Sequence, residues 1–115
     1  MLHHIAIGTP YVSNLADFYL LLPNSVKKNE FFETIDGSLR SIWIEFDGFI
    51  LMIEHGEKKG AKALVFAYND ADDKLWEIFL SSIKPSHRTD YTVYFHDPDG
   101  NLLGVSSYPT RLRNF

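Results

Sequence analysis

The side chains in this 115-residue chain that could do chemistry are few, and most of them are histidines and carboxylates. There is no cysteine, so thiol catalysis, disulfides and thiolate metal sites are excluded. No Ser-His-Asp spacing appears, and no glycine-rich phosphate loop. Gly37, Gly48 and Gly100 each follow an aspartate directly, so they read as turn glycines. Five histidines remain. His4, in an apolar segment near the start, reads as an imidazole lining a pocket, with His3 facing the opposite way. Glu54 ends an apolar run and reads as a carboxylate at a rim, with the neighbouring His55 turned to solvent. His87 falls in a polar loop, and His96 precedes a turn that it is expected to cap.

These residues need elements to hold them, and hydrophobic spacing supplies the candidates. Residues 3–7 form a first strand closed by Gly8-Thr9-Pro10. Ser13 or Asn14 caps a helix with Leu15, Phe18, Tyr19 and Leu22 on one face, and Pro23-Asn24 ends it. Residues 30–35, 39–46 and 49–54 read as strands, with the last two joined at Asp47-Gly48. The segment Gly56 to Gly60 is charged and flanked by glycines, as a linker would be.

The pattern then begins again. Residues 63–68 form a strand, and Asn69-Asp70 caps a helix striped with Leu75, Ile78, Phe79 and Ile83. Residues 91–96 and 102–105 close a hairpin through Asp97-Pro98-Asp99-Gly100-Asn101. His4-Ile5-Ala6-Ile7 aligns with residues 63–66, and Gly48 to Met52 aligns with Gly100 to Gly104. The second half is about seven residues shorter between helix and hairpin. Its second strand, within Ser86 to Thr89, is therefore expected to be very short or missing. The fold class expected is α+β: two βαβββ modules, residues 1–55 and 62–110, joined by a linker at 56–61 in a single domain.

Composition bounds the partners. Eleven basic against fifteen acidic residues give a net charge of −4, and the basic residues are scattered, which disfavours nucleic acid. No apolar run approaches the roughly 20 residues of a membrane span. The first residues lack the features of a signal peptide, so a cytoplasmic protein is the expectation.

The turn Asp97-Pro98-Asp99-Gly100-Asn101, with Leu2-His3-His4-Ile5-Ala6-Ile7 and Leu15-Ala16-Asp17-Phe18-Tyr19, resembles the vicinal-oxygen-chelate superfamily. That group includes glyoxalases, extradiol dioxygenases and fosfomycin and bleomycin resistance proteins. The resemblance implies a cupped mixed sheet whose concave side holds a ligand and, in catalytic members, a divalent metal. Up to four ligands are implied, one near the start of each module's first strand and one in each last strand. Those positions fall on His4, Ala63, Met52 and Gly104, and only His4 is a good donor to such a metal. A register shift of two would bring in Glu54. His4 and Glu54 are thus weak metal candidates, and no cofactor is expected. Strand alternation from His4 places Met52, Glu54, Gly104 and Ser106 on the concave face. Thr92 and Tyr94 occupy positions similar to polar cavity residues of fosfomycin resistance members. The ligand-binding set expected is therefore His4, Met52, Glu54, Thr92, Tyr94, Gly104 and Ser106. The function implied is small-molecule binding or sequestration by a homodimer with a degenerate metal site. The alternative is a metal-dependent lyase, isomerase or dioxygenase with an atypical site.

Overall fold

The structure is a computed structural model, and it describes residues 3–112. The chain divides into two compact units, Met1–Gly60 and Ala61–Phe115. The first runs β1 (His4–Thr9), α1 (Val12–Tyr19), β2 (Val26–Phe32), β3 (Leu39–Phe46) and β4 (Phe49–His55). Its sheet has the order β1-β4-β3-β2, with β1 and β4 parallel and the other pairs antiparallel. One face of this sheet is apolar and covered. Ile7, Ile42, Ile44, Phe46, Leu51 and Ile53 are buried there, and α1 packs on β3 and β4 with Leu15, Ala16 and Tyr19 buried.

The second unit repeats the plan. It runs β5 (Leu64–Ala67), a 3-10 turn (Asp70–Asp72), α2 (Asp73–Ser81), β6 (His87–Arg88), β7 (Thr92–His96) and β8 (Leu102–Ser106), in the sheet order β5-β8-β7-β6. Both units are therefore βαβββ, and β6 is only two residues long. Trp76 of α2 packs on Phe66, and Phe79 packs edge-on to Phe95 with ring centroids 5.2 Å apart.

Several local expectations are corrected. α1 begins at Val12, two or three residues earlier than a Ser13 or Asn14 cap requires, and its N-cap Tyr11 makes no side-chain cap bond. Instead the buried Thr9 hydroxyl accepts from the Tyr11 amide at 3.0 Å, so the strand end organises the helix start. β2 lies at Val26–Phe32, and Ile35 is fully exposed in the following turn. There the Asp36 carboxylate accepts from the Ser38 hydroxyl and amide, and these bonds hold its pKa below the ordinary value. The stripe of α2 is rotated. Trp76, Phe79 and Leu80 face the core, while Leu75 and Ile78 are exposed. The i, i+3 pair Leu75 and Ile78 misled because Trp76, Phe79 and Leu80 form a competing and larger apolar set at i, i+3 and i+4.

The segment after β4 is not a loose tether. Lys59 exchanges both backbone hydrogen bonds with Gly8, at 2.7 and 3.0 Å. A Cβ at position 8 would stand 2.3 Å from the Glu57 carbonyl oxygen, so only glycine lets the chain approach so closely.

Candidate functional site

Each sheet has a second face, opposite its helix, and the chemistry-bearing residues gather there. In the first unit the register sets three rows across the strands. The first joins His4, Ile50 and Glu45; the second Ala6, Met52, Trp43 and Asn29; the third Gly8, Glu54 and Ser41. His4, Met52 and Glu54 do share this face. Ile50, Met52, Glu54 and Trp43 are half-buried, and His4 is exposed.

The rows also separate two of these groups. His4 sits opposite Ile50, and Glu54 lies four residues farther along β4. At the ~3.3 Å rise of a strand that is about 13 Å, beyond the reach of one metal ion. The two weak metal candidates thus share a face but stand too far apart along it to hold one ion together. His4 instead meets His3, whose Nδ1 lies 2.9 Å from its own, so His3 does not simply turn away. Glu54 borders a hollow of about 580 Å³ that it lines with Ala6, Gly8, His55, Glu57 and Lys59.

The sequence marked β3 as a strand, but none of its residues was among the expected ligand-binding set. Trp43 stands beside Met52 and meets Phe31 of β2 with ring centroids 5.1 Å apart. Arg40 lies over the other aromatic, 5.8 Å from the Phe31 centroid. The indole Nε1 of Trp43 is buried and makes no hydrogen bond. The signal was present in the alternation of Ser41, Trp43 and Glu45.

In the second unit the rows are Val65, Gly104, Tyr94 and His87; then Ala67, Ser106 and Thr92; then Leu102 and His96. The expected Thr92, Tyr94, Gly104 and Ser106 are thus brought together. The Thr92 hydroxyl donates to that of Ser106 at 2.8 Å, and Ser106 Oγ also accepts from the Tyr108 amide. His87 is corrected. It belongs to β6 and stacks on Tyr94, with centroids 4.5 Å apart and planes within 14°. A two-residue strand leaves no alternation to read, which is why it passed for loop.

Gly104 is not an open floor. A Cβ there would come 3.1 Å from Thr92 Cγ2 and 3.2 and 3.3 Å from Tyr94 Cδ1 and Cε1. Tyr94 leans across the backbone into the space a side chain at 104 would take. The donor set and this packing together do not fit the metal centre that the resemblance implies. Met52 and Gly104 offer no hard donor, and Ala63, just before β5, offers none either.

The signature turn is structural. Asp97 is buried, and its Oδ1 accepts from the Asp99 and Asn101 amides at 2.9 and 2.8 Å. Its Oδ2 accepts from Asn101 Nδ2 at 2.7 Å, and Gly100 takes φ = 83°. The carboxylate closes the hairpin that delivers β7 and β8 side by side.

No protein-family model and no curated protein matches the chain. Solved structures do. The fosfomycin resistance protein FosX from Mesorhizobium loti superposes with a TM-score of 0.72 at 15% identity, covering 93% of this chain and 90% of that one. A mutant FosX from Listeria monocytogenes, complexed with Mn(II) and 1S,2S-dihydroxypropylphosphonic acid, gives 0.72 at 14%, covering 93% and 91%. The chain has the vicinal-oxygen-chelate fold. A lactoylglutathione lyase from Agrobacterium tumefaciens shares this vicinal-oxygen-chelate architecture, with a TM-score of 0.68 at 14% identity and coverage of 94% and 93%. At these identities the likeness concerns the fold. Among the described residues, no helix is long and apolar enough to cross a membrane.

Proposed function

We propose that the protein binds a small organic molecule on the helix-free face of one of its sheets and does so without a metal centre. The observation that carries this reading is Gly104. The last-strand position that would offer a carboxylate is a glycine, and the ring of Tyr94 fills its place. Met52 and Ala63 at two further positions point the same way. Each face offers apolar area, from Met52 and Trp43 on the first sheet and the Tyr94 ring on the second, worth roughly 25 cal/mol per Å² buried, with His4 and Glu54 as the polar groups of the first and Thr92, Tyr94 and Ser106 as those of the second. Neither offers much to offset the desolvation of a strongly charged chelating substrate. The ligand is therefore read as an apolar body with one or two polar groups, held by sequestration rather than turned over, and the protein as a homodimer.

The alternative reading is a metal-dependent lyase, isomerase or dioxygenase. The exposed imidazole of His4 and the Mn(II) complex of a structural neighbour favour it. Elemental analysis of protein purified without chelator separates the two. We expect well under one transition metal per chain, unchanged in His4→Ala. A content near one per chain that His4→Ala abolishes would establish the alternative.

A further inference from the structure

The hollow beside Glu54 is built where four chain segments meet in one row of the first sheet. Ser41 stands opposite Glu54, Glu54 opposite Gly8, and Gly8 opposite Lys59. Gly8 has no side chain to divide that row, and the segment after β4 uses the space. It is tied down by the two backbone bonds between Gly8 and Lys59, and by the Gly56 amide donating to the Thr9 carbonyl at 3.0 Å. The Glu57 carbonyl oxygen stands where a Gly8 Cβ would be, on the face of the sheet that Glu54 shares. The result is a fixed hollow of about 580 Å³. That volume lies within the roughly 300–1,000 Å³ of small-molecule sites.

Two acceptors border this hollow without a donor. Among the described residues, the half-buried Glu54 carboxylate takes no hydrogen bond and no ion pair. Ser41, across from it and only 3% exposed, does not donate to it, so the carboxylate is left to the hollow that it lines. The Glu57 carbonyl accepts no hydrogen bond among the described residues either. Glu54 and Glu57 also set two carboxylates at the hollow against the single ammonium of Lys59, which pairs with neither. An ammonium carries up to three N–H donors and no acceptor, so it complements both vacant acceptors at once. Charge-assisted bonds of this kind are about twice as strong as neutral ones. An anionic ligand would instead meet Glu54 at close range. The next row along the strands holds Ala6, Met52 and Trp43, which offer apolar area for the rest of the ligand. We propose that the hollow binds a small organic amine, its ammonium on the Glu54 carboxylate and Glu57 carbonyl and its apolar body against Ala6, Met52 and Trp43. This inference rests on the function proposed above, and it assigns the ligand to the first sheet and to one charge class.

Phenethylamine and 2-phenylethanol are suitable probes, followed by amide chemical shifts in the intact protein. We expect phenethylamine to shift Gly8, Glu54 and Glu57 in a saturable way and to bind about tenfold more tightly than the alcohol. Glu54→Gln keeps the size of the side chain and removes its charge. It should bring the amine down to the affinity of the alcohol and leave the alcohol unchanged, which also shows that the hollow survives the substitution. Four results would overturn the proposal. One is an alcohol bound as tightly as the amine by the parent protein. Another is equal affinity of the amine for Glu54→Gln and the parent. The third is loss of the alcohol together with the amine in Glu54→Gln. The fourth is the absence of saturable shifts in this hollow at millimolar amine. Shifts confined to Thr92, Tyr94 and Ser106 are such a result, and they would leave the function proposed above in place. Failure of that metal-free reading shows separately, in the elemental analysis.

Discussion

Asp97 shows how a residue type that suggests chemistry can be committed to architecture. Its two carboxylate oxygens take three hydrogen bonds from Asp99 and Asn101, and the side chain is buried. Removing an acceptor from buried donors costs about 1–3 kcal/mol for each group left unpaired. Asp97→Ala should therefore destabilise the protein by about 3 kcal/mol in urea titrations. Asp97→Asn, which keeps one acceptor oxygen, should cost about 1 kcal/mol. Equal stability of the alanine variant and the parent would mean that the turn is held by Gly100 and Pro98 alone. The residue types of this turn were legible because each has a local reason to be there. The partners of His4 and His87 were not, since they depend on where a neighbouring ring comes to rest.

At the scale of elements, the packing between β7 and β8 decides what the second sheet presents. Tyr94 reaches across to cover Gly104, and His87 of β6 supports it from the other side. Gly104→Ala should then overpack, costing roughly 1–2 kcal/mol. In a Tyr94→Ala background the same change should cost nothing or stabilise slightly, since alanine outdoes glycine in a strand by roughly 0.5–1 kcal/mol. A double-mutant cycle by chemical denaturation measures this coupling, and additive effects would show that the ring does not occupy that space. The strands themselves were largely readable. Leu51 and Ile53 against Ile50 and Met52 follow a period of two, and Gly48 and Gly100 both take positive φ at the turns where their aspartates announced them. The helix faces were harder. In α2, Leu75 and Ile78 are spaced as well as Trp76 and Leu80, and only the sheet beneath them selects the pair that is buried.

For the molecule as a whole, the internal repeat was the most informative feature of the sequence. It anticipated two units of equal topology and a second strand curtailed near Ser86 to Thr89, where β6 occupies His87 and Arg88. The candidate site was less legible, because alternation assigns residues to a face and says nothing of how side chains fill it. β2 and β6 stand at the outer edges of their sheets. Such edges invite pairing with another chain, which is one physical basis for the homodimer in our proposal. Light scattering at micromolar concentration should give twice the mass of one chain, and a single-chain mass would reject it. The edge position has a further meaning for how the two halves could come to differ. An interior strand holds two neighbours, so trimming it would leave two ladders unpaired. β6 borders only β7. The second half could shed most of a strand there at the expense of a single ladder, and the edge is where such a chain best tolerates deletions.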